Sequence, residues 1–150
     1  LSVFAPIEVA VEHIGSTAVP GLAAKPVIDV LFGARALADV ESKIEPLGEH
    51  GYSYVQKYER ELPMRRYFVK PAATSHRVHL HAVELGSLLW QEHMAFRDSL
   101  RTDATLSSRY QALKLRLAEE FADDKSAYTT AKGPFIRSVI ETIFERNAAD

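Results

Sequence analysis

At Gly86 the spacing of apolar residues along the chain changes from two to about 3.6. Before it, Glu8 to Ile14 and His76 to Glu84 alternate, and Val27 to Phe32 (VIDVLF) is nearly all apolar, the pattern of a strand buried on both faces. Tyr52 to Gln56 and Arg65 to Lys70 add two more strands. One amphipathic helix interrupts them, with Leu37, Val40, Ile44 and Leu47 on its stripe and a stop near Gly48. After Gly86 the chain reads as helices. Ser87 caps the first and Asp103 the second, whose stripe runs Leu106, Tyr110, Leu113, Leu117 and Phe121. Gly133-Pro134 is expected to separate a short helix holding Tyr128 and Lys132 from a last one holding Ile136, Ile140 and Ile143. Strands followed by helices predict one α+β domain over residues 1–150, with a mixed sheet flanked by helices and a helical C-terminal half.

The chain has 150 residues, 47% of them hydrophobic and 25% charged, which is ordinary globular composition. With a net charge of −2 it carries no overall basic footprint for duplex nucleic acid, although one cleft can still hold phosphate. The absence of cysteine excludes disulfides and thiolate chemistry, and fits a reducing cytoplasm. No apolar run reaches the roughly 20 residues that span a bilayer, and the N-terminus has no signal-peptide pattern. Nothing in the pattern sets an oligomeric state.

The stretch Glu12 to Val30, EHIGSTAVPGLAAKPVIDV, carries the chemistry. A strand ends in Gly15-Ser16-Thr17, and a second strand returns with one carboxylate, Asp29. Glycine lets backbone approach a phosphate closely, and a serine hydroxyl with adjacent N–H groups can hold its oxygens. A carboxylate on the neighbouring strand could hold a divalent cation against the same phosphates. Purely structural turns of this kind are equally common. His79 and His81 point to one face of their strand. If that strand lies beside Asp29, the three make a two-histidine, one-carboxylate set suited to a transition metal; otherwise the histidines are packed or hydrogen-bonded.

Other residues are weighed the same way. Arg65 and Arg66 must face opposite ways, and Arg66 reads equally as a phosphate clamp or as a solvated surface group. Lys25 could meet a phosphate or offset Asp29. Lys114 and Lys132 lie one turn after Tyr110 and Tyr128. Trp90 reads as core, and Arg97 and Arg101 as an exposed charged face.

The opening string resembles the signature of the GrpB-like family, a branch of the nucleotidyltransferase superfamily. The resemblance continues through RVHLHAVELGSLLWQEHMAFRDSLR, YQALKLRLAEEF and AYTTAKGPFI, nearly the whole chain. It implies a nucleotidyltransferase-like fold whose leading helix would precede Leu1. The superfamily pattern is a Gly-Ser turn followed by Asp-x-Asp or Asp-x-Glu. Gly15, Ser16 and Asp29 match it, but residue 31 is leucine, so the second metal-holding acid is absent.

The resemblance implies no settled reaction; together with the turn-plus-carboxylate layout it leads to a first reading, a metal-dependent nucleotidyltransferase acting on a nucleotide and an acceptor. Asp29 would be its catalytic acid, with Mg²⁺, Mn²⁺ or Zn²⁺ on Asp29, His79 and His81. Gly15, Ser16, Thr17, Lys25, Arg66, Lys114 and Lys132 would hold the nucleotide or another phosphate-bearing small molecule. Leu31 at the second acid position motivates the alternative, a non-catalytic nucleotide- or CoA-ligand-binding or chaperone-like module; the resemblance adds that some family members are fused to dephospho-CoA kinase. A metal-dependent hydrolase on Asp29, His79 and His81 ranks third.

Overall fold

A computed structural model describes residues 2–22, 27–73 and 76–149. Five strands, β1 (Val9–Ile14), β2 (Val27–Ala34), β3 (Ser53–Val55), β4 (Arg65–Lys70) and β5 (Arg77–Glu84), form one sheet in the order β1-β2-β5-β4-β3. Only β2 and β5 run parallel; the other neighbours are antiparallel. That parallel pair needs a crossover, which helices α1 (Leu37–Glu41) and α2 (Ile44–Glu49) and strands β3 and β4 supply. The single helix expected over this stripe is therefore two short ones, broken at Ser42-Lys43. The apolar stripe survives the break, since Val40 and Leu47 are both buried against the sheet.

One sheet face packs on α1 and α2, with Phe32, Phe68, Leu80 and Ala82 facing Val40 and Leu47. The other face is covered by α3 (Leu88–Thr102), where Leu31, Val83 and Ile14 meet Leu89, Trp90 and Met94. Gly33 makes room for this contact: a Cβ there would lie 2.8 Å from the Trp90 ring. Trp90 is accordingly a core residue, as its position at the helix start suggests.

The helical half begins as the caps require. The Ser87 hydroxyl accepts from Trp90 N–H and the Asp103 carboxylate from Leu106 N–H, which opens α4 (Ala104–Glu120). The last helix, α5 (Lys125–Ala149), corrects the expected division at Gly133-Pro134: Pro134 lies inside one continuous helix. Proline forfeits one backbone hydrogen bond there. Burial of Phe135, Ile136 and Ile140 on the flank that follows holds the helix in register. Tyr110 and Leu100 from α4 and α3 close this second core over Val19 and Leu22, just beyond the Gly-Ser turn.

Candidate functional site

The register of the sheet assembles the site. β1 pairs with β2 so that Ile14 faces Asp29, and β2 pairs with β5 so that Asp29 faces His79 and Leu31 faces His81. On the far side of β5, Tyr67 stands opposite His81 and Arg65 opposite Val83. Alternation along each strand therefore puts Asp29, Leu31, His79, His81, Tyr67 and Arg65 on one face, the face that α3 covers. The proximity of the two histidine-bearing and aspartate-bearing strands, on which the sequence reading depended, is met.

Gly15 follows directly on the last paired residue of β1. Its φ of 76° is the left-handed conformation that glycine adopts without strain, and a Cβ there would fall 2.6 Å from Asp29 Oδ2. The Gly-Ser turn thus rests on the Asp29 carboxylate. A 3-10 turn over Ser16–Ala18 continues it. The Thr17 hydroxyl is 2.8 Å from His13 Nε2 and donates to the Val27 carbonyl, tying the turn to the start of β2. Thr17 thereby serves the turn's shape. Lys114 Nζ of α4 donates to the Ser16 hydroxyl and also lies over the Tyr110 ring.

Two arginines of α3 staple the same turn; Arg97 corrects the reading of an exposed charged face, while Arg101 is exposed as expected. Arg97 is only 8% exposed; it donates to Glu12 and Asp98 and to the His13 carbonyl. Arg101 Nε donates to the Ala18 carbonyl. Their spacing of four residues aims both guanidiniums along one side of α3. A solvated i, i+4 pair has the same signature, so only the packing of α3 on β1 separates the two readings.

Asp29 Oδ1 lies 3.0 Å from His81 Nε2 and 3.7 Å from His79 Nδ1. His81 Nδ1 in turn lies 3.1 Å from Arg65 Nη1. Tyr67 packs against this chain, with its ring 5.2 Å from that of His81 and the Arg65 guanidinium 4.8 Å above it. Burial lowers the pKa of His79 despite the attraction of Asp29, and His79 Nε2 is buried with no hydrogen-bond partner among the described residues. His93 of α3 stacks toward His81. Burial foremost, with Arg65 and the neighbouring His81 adding to it, pulls it down to about 4. Burial and the nearby Asp29 charge push the Tyr67 phenol up.

Asp29, His79 and His81 converge, with Asp29 Oδ1 engaged by His81 Nε2. Among the described residues no group of three or more histidine, aspartate or glutamate side chains is arranged to hold a metal ion. Leu31, at the position of the second acid, is fully buried between Ile14 and Val83.

A cavity of about 320 Å³ opens above this face. Its polar wall holds Gly15, Ser16, Asp29, His81, His93 and Lys132; its apolar wall is built from α3, α4 and α5, with Phe96, Tyr110 and Ile136 prominent. Lys132 lies over the Tyr128 ring. Burial foremost, with the neighbouring Tyr128 and Asp29 adding to it, raises the pKa of the Tyr110 hydroxyl to about 12. Arg66 is not part of this wall, a correction imposed by the two-residue period of β4. It projects to the opposite face, where it pairs with Glu41 and Glu59 and donates to the Pro63 carbonyl. Arg65 takes the site face instead. Lys25 lies outside the described residues.

An α+β protein with a Gly-Ser turn set on a buried-strand carboxylate is the class that fold and site define. The chain belongs to the GrpB family: the family's model, described as GrpB protein, matches residues 1–142. It is 35% identical over 139 residues to the YqkA protein of Bacillus subtilis, covering 93% of this chain and 40% of that one. It is also 35% identical to the glutamate-rich protein GrpB of Alkalihalophilus pseudofirmus, covering 87% and 76%. A dephospho-CoA kinase of Mycolicibacterium paratuberculosis is 33% identical over 150 residues, 85% of this chain and 37% of its own. The crystal structure of the GrpB protein from Enterococcus faecalis superposes with a TM-score of 0.82 at 31% identity, over 97% of this chain and 86% of that one. The chain thus spans less than half the length of the Bacillus relative. No helix among the described residues is long and apolar enough to cross a membrane.

Proposed function

We propose that the protein binds a phosphate-bearing small molecule, a mononucleotide or a piece of a CoA-like ligand, in the cavity between the sheet and the three C-terminal helices. The observation that carries this reading is the approach of Lys114 to the Ser16 hydroxyl at the Gly-Ser turn. It puts an ammonium beside the hydroxyl of Ser16, which lines the cavity, and the cavity's polar wall also holds Lys132. Phosphate oxygens accept from such groups, and the apolar wall accommodates a base or an alkyl segment. At about 320 Å³ the cavity is at the small end of ligand sites, which favours a mononucleotide over an intact dinucleotide. Calorimetric titration with AMP tests it. Wild type should bind, and Lys114→Ala should bind about tenfold more weakly, the loss of one charge-assisted contact. No heat and no thermal stabilisation with AMP, ADP or CoA would overturn it.

Nucleotidyl transfer is the second reading, favoured by one observation: Asp29 lies directly beneath the turn that would hold the phosphates. Against two-metal transfer stands Leu31, a dry core residue where the partner acid would have to be. A nucleotide panel with Mg²⁺, Mn²⁺ or Zn²⁺ and candidate acceptors decides it, comparing wild type with Asp29→Asn. Pyrophosphate release that is equal in both, or absent throughout, removes the transfer reading and leaves a binding module.

A further inference from the structure

The hydrogen bonds around His81 have only one consistent direction. Arginine has donors and no acceptor, so at 3.1 Å Arg65 Nη1 must donate to His81 Nδ1. That nitrogen therefore carries the lone pair and the proton sits on Nε2, from which it is donated to Asp29 Oδ1 at 3.0 Å. The chain Arg65–His81–Asp29 is held on its open side by the Tyr67 ring, packed against both the imidazole and the guanidinium. Its geometry follows from register: Tyr67 and His81 are cross-strand partners, and Arg65 stands two residues along the same face.

The consequence falls on Asp29. One carboxylate oxygen is engaged by His81, while the other, Oδ2, is turned toward Gly15 and the turn. A carboxylate oxygen held this way only accepts hydrogen bonds, and it repels a second anion. Beside a phosphate held at Ser16 and Lys114 it discriminates by what the ligand offers next to its phosphate. We propose that Arg65 and His81 are positioning residues that present Asp29 Oδ2 to a ligand hydroxyl. The site thereby selects phosphate esters carrying a hydroxyl donor, sugar phosphates and ribonucleotides, over those without one. The selectivity rests on the phosphate-binding reading above; the direction of the hydrogen bonds does not.

Two measurements on the full chain test it. The first is the ¹⁵N spectrum of the histidine rings at pH 7.5. His81 should carry its proton on Nε2, and Arg65→Gln, but not Arg66→Gln, should move the His81 Nδ1 resonance. A proton on His81 Nδ1 would overturn the relay whatever the ligand result. The second compares AMP with 2′,3′-dideoxy-AMP, which differ only in the ribose hydroxyls. Wild type should prefer AMP by about tenfold, the worth of a hydrogen bond to a charged group. His81→Ala should lose that preference, and His81→Gln, whose amide can still donate to Asp29, should keep most of it. Equal binding of both nucleotides to wild type would sink the selectivity while sparing the phosphate site. Binding of neither would sink both, leaving the ring spectrum to judge the relay alone.

Discussion

The Asp29 carboxylate occupies the space that a side chain on residue 15 would need. A Cβ at Gly15 would sit 2.6 Å from Asp29 Oδ2, and the backbone there has a φ of 76°. Two separate penalties therefore fall on any substitution, a left-handed backbone and a displaced carboxylate.

Gly21 separates them. Its φ is 80°, but nothing among the described residues lies within 4 Å of the Cβ it would acquire. Gly21→Ala should cost only the backbone strain, about 1 kcal/mol, and Gly15→Ala about 1–3 kcal/mol in urea unfolding. Gly15→Ala alone should also weaken AMP binding. Equal costs for the two would mean that the turn does not rest on Asp29.

Leu31 tests whether a second acid can stand beside Asp29. It is fully buried among Ile14, Val83 and the α3 side chains, worth about 1.5–3 kcal/mol of transfer free energy. Leu31→Ala should destabilise by about 2–5 kcal/mol through the cavity it leaves. Leu31→Asp should cost at least as much, because the carboxylate would be buried without a partner. A Leu31→Asp protein that kept wild-type stability and gained Mg²⁺ affinity by calorimetry would show that this position is an acid site merely vacated.

His93 gives a pH dependence. The unfolded chain takes up its proton near 6.5, whereas the folded protein resists it down to about 4, chiefly through burial. The stability carried by uncharged His93 is complete above pH 6.5 and is lost progressively as pH falls toward 4. The full effect is of order 3 kcal/mol, and His79, also lowered by burial, adds in the same direction. Chemical denaturation at pH 7.5, 6, 5 and 4.5 should show wild type losing stability more steeply than His93→Gln. Parallel curves would mean that His93 is as easily protonated folded as unfolded.

Arg66 provides the contrast that fixes the face. Its partners Glu41 and Glu59 are on the α1 side of the sheet, and its side chain is 16% exposed. Arg66→Ala should lower stability by about 1 kcal/mol, the scale of a partly exposed ion pair, and leave AMP affinity unchanged. A matching loss of AMP affinity in Arg66→Ala would move the ligand site to the other face.

Arg65 and Arg66 also mark where the sequence stops being informative. Alternation requires that they diverge, but which one meets Asp29 depends on β4 lying beside β5, a non-local pairing that no local pattern encodes. The strands themselves, the Ser87 and Asp103 caps and the juxtaposition of Gly15 with Asp29 follow from local rules, and those were legible. That β5 lie beside β2 was the condition on the histidine reading, and the structure meets it with a parallel pairing. Continuity of α5 through Pro134 was not legible, because burial of Phe135, Ile136 and Ile140 outweighs one lost backbone bond. Nor was the clamp made by Arg97, since a buried arginine and a solvated one share the same helical spacing.

Arg97 yields the last prediction. It is the buried charge of the structure's described core, held by Glu12, Asp98 and the His13 carbonyl, and its hydrogen bonds to the two acids raise its pKa although burial opposes them. Both acid partners remain substantially exposed, at 40% and 56%, so removal of Arg97 leaves charges that water can reach. The cost of Arg97→Ala should therefore fall below the range for breaking a fully buried pair, at about 2 kcal/mol. Its distinctive effect should be local. With the His13 carbonyl released, the Gly-Ser turn loses one of its two anchors to α3, the other being Arg101 on the Ala18 carbonyl. The amides of Ala18 and Val19, which donate within the turn to Gly15 and Ser16, should exchange faster in Arg97→Ala than the β5 amides do. Arg101→Ala should show the same local loosening with a smaller global cost, since Arg101 is exposed. Turn amides that exchange at wild-type rates in both variants would show that α3 rests against β1 without holding the turn in place.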